Sequence, residues 1–127
     1  MVQKFYVCPM CGNIIAYAKC SGVEVMCCGQ PMEELVPNTV EATKEKHIPV
    51  VKREGDKVTV TVGSTMHPME NSHQIEWIFL QTNNGCQRKQ LKAGDKPEAC
   101  FKICDKDEII AVMAYCNLHG LWKGKLL

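Results

Sequence analysis

The chain has 127 residues, and its 15 Lys and Arg residues nearly balance its 14 Asp and Glu residues, which gives a net charge of +1 at pH 7. This length allows one ordinary domain, or a small domain joined to a very small one. The balanced charge argues against a nucleic-acid-binding surface. No apolar run reaches the roughly 18 residues that cross a bilayer, and residues 1–5 show no signal-peptide pattern, so we expect a cytoplasmic protein without membrane contact.

Nine cysteines are present, which is many for a chain of this length. An odd number leaves at least one thiol outside any set of disulfides, and the sequence has no signal peptide for an oxidising compartment. In a reducing compartment, clustered cysteines bind metal ions more often than they form disulfides. We therefore expect metal binding by the cysteines that lie close together in the sequence.

Two cysteine pairs lie near the N-terminus, the first in CPMCG at residues 8–12 and the second in CCG at residues 27–29. Each pair is followed by glycine, which can adopt positive φ and lets backbone N–H groups face the sulfurs. Short β-prone stretches at 14–19 and 23–26 flank Ser21 and Gly22, so the pattern predicts a hairpin that brings the two pairs together. The predicted ligands of one ion are Cys8, Cys11, Cys27 and Cys28.

The ion in this predicted site is either zinc or iron, because four sulfur ligands suit both metals and the spacing does not separate them. A segment of about 36 residues cannot bury enough apolar surface to fold alone. Metal binding is therefore expected to supply much of its folding free energy. Cys20, near the predicted hairpin turn, is interpreted as a bystander.

A polar stretch separates this region from the rest of the chain. Residues 37–39 and the charged run at 41–46 have little apolar content, which is typical of a linker. We therefore predict two domains, at residues 1–37 and 38–127.

Beyond the linker the pattern predicts an all-β domain. Apolar residues alternate with polar ones at 58–62, 75–79 and 99–104, as in half-buried strands. The run at 109–115 is continuously apolar, which is typical of a central strand, and turn sequences occur at 54–56, 83–85 and 94–95. Several short strands at such intervals predict a β-sandwich.

All four histidines of the chain fall in loops or at strand ends of this predicted domain. They are His47, His67, His73 and His119. Cys116 precedes His119 by three residues in a turn closed by glycine, which suits two ligands of one ion. Taken singly, each histidine is more often a surface or hydrogen-bonded core residue, and a lone cysteine is more often a buried hydrophobe. Loops at one end of a sandwich can converge, so the five side chains together suggest a second metal site.

Five separated sequence blocks occur in order along the chain: CPMCG at 8–12, CCGQPM at 27–32, EKHIP at 45–49, HPM at 67–69 with His73 and IEWI at 75–78, and CNLHGLW at 116–122. Together they resemble the desulfoferrodoxin family of two-iron superoxide reductases. The resemblance implies a desulforedoxin-like domain with a tetrathiolate iron, followed by an immunoglobulin-like sandwich that carries a catalytic iron. Four cysteines fall outside the blocks and are interpreted as packing residues, with an extra redox role as the alternative: Cys20, Cys86, Cys100 and Cys104.

The resemblance also implies roles for the residues of the catalytic site. The axial ligand of the catalytic iron would be Cys116. The four equatorial imidazoles would be those of His47, His67, His73 and His119. Glu45 would occupy the sixth position of the ferric iron, and Lys46 would lie beside the open site and attract the superoxide anion. The alternative interpretation of residues 43–46 is a solvated linker.

The implied activity is the one-electron reduction of superoxide to hydrogen peroxide without release of dioxygen. Neutral imidazoles keep a ferrous site cationic, and one thiolate opposite the open position increases the electron density available to a bound oxygen species. The family implies a small electron donor such as rubredoxin, and a homodimer. Two alternatives stay open, namely a non-enzymatic electron-transfer protein and a zinc-stabilised binding module.

Overall fold

A computed structural model describes residues 1–126. The chain divides into two compact units: Met1–Val36, here called the knuckle unit, and a second that begins at Pro37, here called the sandwich unit. The described residues form twelve strands and one helix of four residues, so the predicted all-β class is confirmed. No helix among these residues combines the length and the apolar character needed to span a membrane.

The knuckle unit contains five very short strands. In chain order they are β1 (Phe5–Val7), β2 (Ile14–Ile15), β3 (Met26–Cys27), β4 (Gln30–Pro31) and β5 (Glu33–Leu35). Strand β1 pairs antiparallel with β2 and β5, and β3 pairs with β4 as a separate hairpin. The buried hydrophobic residues of this fully described unit are Phe5 and Cys8, which is the small core expected for so short a segment.

The hairpin predicted around Ser21 and Gly22 is wrong. Residues 16–25 form no strand, and most of their side chains are exposed, with Val23 at 74%. Local β propensity forms no hairpin there because the exposed side chains gain no cross-strand packing. The hairpin of this unit instead turns at Cys28 and Gly29, whose φ angles of 52° and 77° are the two positive values that a two-residue type I′ turn requires.

The sandwich unit consists of two antiparallel sheets. Its elements are α1 (Lys44–His47), β6 (Pro49–Glu54), β7 (Lys57–Val62), β8 (Ile75–Thr82), β9 (Gly85–Gln90), β10 (Glu98–Lys102), β11 (Ile109–Cys116) and β12 (Gly120–Lys123). One sheet has the strand order β10-β7-β6 and the other β12-β11-β8-β9. Their facing side chains form one buried cluster, with Val58 and Phe101 from the first sheet and Ile78 and Val112 from the second. The predicted β-sandwich is therefore confirmed.

Two strands follow the predicted burial patterns closely. Val58, Val60 and Val62 of β7 are fully buried, and the threonines between them are partly exposed. Strand β11 lies between β8 and β12, and its residues 111–114 are buried on both faces, as expected of a central strand. The register pairs Ile75 with Cys116, so the start of β8 and the end of β11 lie at the same end of their sheet.

Two local predictions in this unit are wrong. The predicted linker contains the helical turn α1, and the backbone N–H of Asn38 donates to a carbonyl of β12 at 3.0 Å. The strand predicted over 99–104 ends at Lys102, so Cys100 and Cys104 do not share a strand. The strand stops because the backbone N–H of Cys104 donates to Asp107 Oδ2 at 3.0 Å instead of continuing the ladder.

Candidate metal centres

The cysteine cluster is formed by two turns of the knuckle unit, one after β1 and the other between β3 and β4. Its members are Cys8, Cys11, Cys27 and Cys28. The four sulfur atoms lie within 4.8 Å of one another, and Sγ of Cys11 is 3.6 Å from Sγ of Cys27. Sulfurs placed tetrahedrally at about 2.3 Å from an ion would be about 3.8 Å apart, so the four positions fit a tetrathiolate metal site.

Backbone donors and neighbouring sulfurs shift the acidity of these thiols in opposite directions. The backbone N–H of Cys11 lies 3.5 Å from Sγ of Cys8, and this hydrogen bond is the main cause that lowers the pKa of Cys8 to about 6. Hydrogen bonds with the Cys8 and Cys11 sulfurs raise the pKa of Cys28 to about 12. Sulfurs this close cannot all ionise without a compensating cation, so the donor set fits a bound metal ion.

The second group of donors lies at one end of the sandwich, and we call it the histidine cluster. Its members are His47, His67, His73, Cys116 and His119. All but His119 offer one donor atom each within 4.8 Å of the others. Nδ1 of His119 is 3.0 Å from Nε2 of His47 and 3.8 Å from Sγ of Cys116. The structure thus brings together the five side chains that the sequence analysis singled out.

The four imidazole rings of the histidine cluster form a square. The ring centroid of His67 is 4.7 Å from that of His47 and 4.6 Å from that of His73. The centroid of His119 is 4.8 Å from that of His47 and 5.1 Å from that of His73. The diagonal between His47 and His73 is longer, at 6.2 Å. Such an arrangement suits four nitrogen ligands placed around one ion.

Hydrogen bonds fix which ring nitrogen of two histidines faces the centre of the square. Nδ1 of His47 lies 2.7 Å from the carbonyl oxygen of Thr43, and Nδ1 of His67 lies 2.7 Å from that of Pro68. Because a carbonyl only accepts, both Nδ1 atoms donate and both Nε2 atoms present lone pairs. These Nε2 atoms are 3.2 Å apart, close to the distance of about 3 Å between perpendicular metal ligands with bonds of about 2.1 Å. The pair therefore fits a metal ion better than a hydrogen bond.

Burial favours the neutral form of these donors. It lowers the pKa of His67 to about 4, lowers the pKa values of His47 and His73, and raises the pKa of the Cys116 thiol. Within residues 1–126, the buried Nε2 atom of His73 has no hydrogen-bond partner, and a bound cation would satisfy this nitrogen by coordinating its lone pair. Neutral imidazoles are the form that binds metal ions, and a cation would favour the Cys116 thiolate.

Trp122 supports two neighbouring members of the histidine cluster. Its indole Nε1–H donates to the carbonyl oxygen of His119 at 3.0 Å, and its ring centroid is 5.0 Å from that of His47. Trp122 is only 1% exposed, so its indole is held in place beside the histidine cluster by the surrounding core. The ring nitrogen of His119 that faces the other donors is Nδ1, the one nearer the backbone. This nitrogen can reach the same ion as Cys116 because the two residues lie three positions apart in one turn.

Glu45 and Lys46 lie on α1 directly before His47, and both are exposed. Burial is the main cause that lowers the pKa of His47. The neighbouring histidines and, to a smaller extent, the positive charge of Lys46 lower it further. The Lys46 ammonium group is therefore near enough to act on the cluster electrostatically. No carboxylate of the described residues lies among the clustered donor atoms, so the structure does not bring the Glu45 side chain to them.

Gly63 is a residue of this site that the sequence analysis missed. A Cβ atom at Gly63 would lie 2.6 Å from the carbonyl oxygen of Glu45 and 3.0 Å from that of Ile48. The same Glu45 carbonyl accepts the backbone N–H of Thr65 at 2.9 Å. Helix α1 therefore packs on the end of β7 at backbone distance, and this contact sets the position of His47. The sequence offers only a glycine after a strand, which is common in ordinary turns.

The remaining cysteines lie outside both clusters. They are Cys20, Cys86, Cys100 and Cys104, all free thiols with exposed side chains. The interpretation of these four as packing residues is wrong, because side chains that face solvent fill no core. Cys100, for example, lies at an exposed position of the edge strand β10, with Sγ 3.6 Å from Oγ1 of Thr59.

The family model matches most of the sandwich unit, and two curated relatives match nearly the whole chain. The family model described as Desulfoferrodoxin matches residues 39–125, which is more than half of the chain. The chain belongs to the desulfoferrodoxin family. It is 48% identical over 127 residues to the desulfoferrodoxin of Syntrophotalea carbinolica, covering 98% of this chain and 99% of that protein. It is 43% identical over 122 residues to the desulfoferrodoxin of Nitratidesulfovibrio vulgaris, covering 96% of this chain and 95% of that protein.

Two solved structures of superoxide reductases are similar to this chain, one over nearly its whole length and the other over part of it. The superoxide reductase of Treponema pallidum matches with a TM-score of 0.82 and 36% identity, covering 98% of this chain and 100% of that one. The 1Fe superoxide reductase of Giardia intestinalis matches with a TM-score of 0.54 and 35% identity, covering 65% of this chain and 98% of that one. The two donor clusters correspond to the two irons of the family, one bound by four cysteines and one by four histidines and a cysteine.

Proposed function

We propose that this chain is a superoxide reductase, an oxidoreductase that reduces superoxide to hydrogen peroxide without releasing dioxygen. The observation that carries the proposal is the square of four imidazole rings with the buried Cys116 sulfur 3.8 Å from one of them. The likeness to the superoxide reductase of Treponema pallidum supports it, because that likeness covers 98% of this chain. In this proposal residues 38–127 are the catalytic domain and residues 1–37 the tetrathiolate iron domain.

The proposed metal ligands are the members of the two clusters. A catalytic iron would be held by His47, His67, His73, His119 and Cys116. A second iron would be held by Cys8, Cys11, Cys27 and Cys28. When bound, the catalytic iron supplies the electron and a cationic site for superoxide. Zinc has no accessible redox change, so the proposed reaction requires a redox metal at the histidine cluster.

Residues of the chain would tune this site through their charge. Three of the imidazoles are neutral at pH 7, because burial lowers the pKa of His67 to about 4 and lowers the pKa values of His47 and His73 as well. The Cys116 sulfur is fully buried, so its charge would be stabilised by the metal rather than by water. One thiolate among four neutral rings makes the site electron-rich while it stays attractive to an anion.

Lys46 and Glu45 have proposed roles at the entrance to the site. The exposed ammonium group of Lys46, next to His47, would attract superoxide and organise the water that delivers protons. One electron and two protons convert one superoxide to one hydrogen peroxide. Glu45 is proposed as the sixth ligand of the oxidised site, which requires its exposed side chain to move toward the histidine cluster.

The proposed reaction needs an external electron donor after each turnover. We assign this role to a small electron carrier such as rubredoxin. We also propose a homodimer, because the knuckle unit exposes several large hydrophobic residues that a partner copy could cover: Met10, Val23, Met26 and Val36. Analytical ultracentrifugation of the metal-loaded protein tests the dimer, and a monomer at micromolar concentration would refute it.

The reaction is tested by mixing the reduced, iron-loaded protein with superoxide and measuring hydrogen peroxide and dioxygen together. A reductase yields one hydrogen peroxide for each superoxide and no dioxygen. A dismutase yields equal amounts of hydrogen peroxide and dioxygen. A protein that only transfers electrons between partners consumes no superoxide beyond the uncatalysed rate.

The zinc-loaded protein is the matched control, because it keeps the ligand set but cannot supply an electron. Hydrogen peroxide without dioxygen from the iron form alone supports the proposal. Dioxygen in proportion to peroxide, no reaction, or equal activity of the zinc form contradicts it.

A further inference from the structure

We infer that Asn117 is a positioning residue that holds the loop of His73 at the histidine cluster. Asn117 lies between Cys116 and His119 in the turn from β11 to β12, and it contacts the loop that precedes β8. The inference rests on the proposed function, because it concerns how the same metal site keeps one of its ligands. Asn117 acts through His73 and is not itself a ligand.

Three hydrogen bonds join Asn117 to the backbone on both sides of His73. The backbone N–H of Asn117 donates to the carbonyl oxygen of Gln74 at 3.1 Å, and its Oδ1 accepts the N–H of Gln74 at 2.8 Å. Its Nδ2 donates to the carbonyl oxygen of Ser72 at 3.0 Å. One side-chain amide therefore fixes the residues immediately before and after the histidine.

His73 depends on its loop more than its neighbours in the square do. The rings of His47 and His67 are each oriented by a backbone carbonyl 2.7 Å from Nδ1. Across residues 1–126, no such carbonyl orients the ring of His73, and its buried Nε2 atom has no partner. Its backbone forms a bridge with Glu70, in which the two N–H···O distances are 2.9 and 3.1 Å. The position of this ring is therefore set by the loop, which Asn117 ties to the turn of two other ligands.

Asn83 makes the same reciprocal pair of hydrogen bonds at the opposite end of the β8–β11 ladder. Its backbone N–H donates to the carbonyl oxygen of Glu108 at 3.0 Å, and its Oδ1 accepts the N–H of Glu108 at 2.9 Å. Neither residue belongs to a cluster of metal donors in the described chain. Asn83→Ala is therefore a matched control, because it removes a similar contact from the same pair of strands without touching a ligand loop.

The test compares Asn117→Ala and Asn83→Ala in the binding of Co²⁺ to the histidine cluster of the full chain. Affinity is measured by chelator competition, followed at the thiolate-to-cobalt absorption that is lost in Cys116→Ser. Groups that orient a metal ligand typically change metal affinity by about 10- to 100-fold, so we expect Asn117→Ala to bind Co²⁺ more weakly by about that factor. Asn83→Ala should bind Co²⁺ as the wild type does.

A double-variant cycle with His73→Ala separates positioning from a general loosening of the fold. If Asn117 acts through His73, Asn117→Ala should cause no further loss of affinity once His73 has been replaced. If Asn117→Ala does not fold, Asn117→Asp replaces it, in about 0.5 M salt to screen the added charge. That variant keeps the acceptor for the N–H of Gln74 but loses the donor to Ser72, and we expect about tenfold weaker binding.

The inference is supported if Co²⁺ affinity falls at the histidine cluster alone and the effect vanishes in the His73→Ala background. Unchanged affinity, or an equal loss in that background, overturns the inference and leaves the proposed metal site in place. A wild-type protein without any Cys116-dependent absorption overturns the proposed site, and the inference with it.

Discussion

In the knuckle unit the donors come from two turns close in sequence, with Cys8 and Cys27 separated by 19 positions, whereas His47 and His119 are separated by 72. Strands of two or three residues and a core of little more than Phe5 support the cysteine cluster. The histidine cluster instead sits at the end of a sandwich with a continuous buried core. The comparison indicates that metal binding stabilises the fold of the knuckle unit. In the sandwich unit, the packed core instead holds the metal ligands in position.

Metal removal should give the largest difference in stability between the two units. With both ions chelated, we expect residues 1–36 to lose their protection against amide hydrogen exchange, because Phe5 and Cys8 are their buried hydrophobic side chains. The strands of the sandwich unit should stay protected. Exchange followed by mass spectrometry in metal-free and metal-loaded protein measures this difference. Equal loss in both units, or in neither, would contradict the comparison.

Two serine variants should next remove one iron each. Cys116→Ser should abolish the thiolate-to-iron absorption of the histidine cluster and spare the tetrathiolate absorption. Cys28→Ser should do the reverse and leave much of the superoxide reaction, because the two clusters share no donor. Visible spectra and metal analysis check both variants. An unchanged Cys116→Ser spectrum would remove Cys116 from the ligand set, and loss of both irons in Cys28→Ser would show that the sites depend on each other.

Gly63→Ala tests whether the fold sets the position of His47. The added Cβ would lie 2.6 Å from the Glu45 carbonyl oxygen, so the backbone of α1 must shift. We expect the free energy of unfolding to fall by about 1–3 kcal/mol and iron binding at the histidine cluster to weaken. Urea unfolding and chelator competition measure the two effects.

The control for Gly63→Ala is Ser64→Ala, which removes the hydroxyl that donates to the same carbonyl at 3.2 Å and adds no atom. Its effect on unfolding should stay within about 0.5 kcal/mol. Equal effects of the two variants would show that the close backbone contact does not position His47.

Lys46→Ala should have the smallest effect, and only on the encounter with superoxide. One charge about 6 Å from the anion contributes about 0.7 kcal/mol in water, so the bimolecular rate at low salt should fall about threefold and depend less on salt. Lys44→Ala on the same helical turn is the control, because it removes an equal charge from a residue that lines a cavity with Ile48 and Ser64 and does not directly precede His47. Stopped-flow rates at several ionic strengths measure both variants, and identical rates and salt slopes would exclude steering by Lys46.

The strands of the sandwich could be predicted because their burial repeats every second residue, as in Val58, Val60 and Val62. The conformation of residues 16–25 could not be predicted in this way. Their β-prone side chains face solvent, so their propensity has no packing to support the hairpin that the sequence predicted. The helical turn α1 was missed for a related reason. Four residues carry too little periodicity to distinguish a helical turn from a linker.

The donor residues of both clusters could be identified from residue type, loop position and family resemblance. The resemblance implied that the four imidazoles are equatorial. The residue pattern alone could not give their square arrangement, because it depends on strand register and on hydrogen bonds such as that between His47 and Thr43. Gly63 and Asn117 were also missed as supporting residues. Each acts through a backbone contact with a distant loop, and one sequence gives no signal for such contacts.

The separation of 72 positions between His47 and His119 also affects how the chain unfolds. An ion held by both residues closes a loop that contains most of the sandwich unit, and therefore acts as a reversible cross-link. Loop-closure entropy grows with the logarithm of loop length, so this cross-link restricts the unfolded chain by about 1 kcal/mol more than one across the 19 positions from Cys8 to Cys27. Iron that stays bound while strands open would keep the two ends of the sandwich unit together and favour their return to the native pairing.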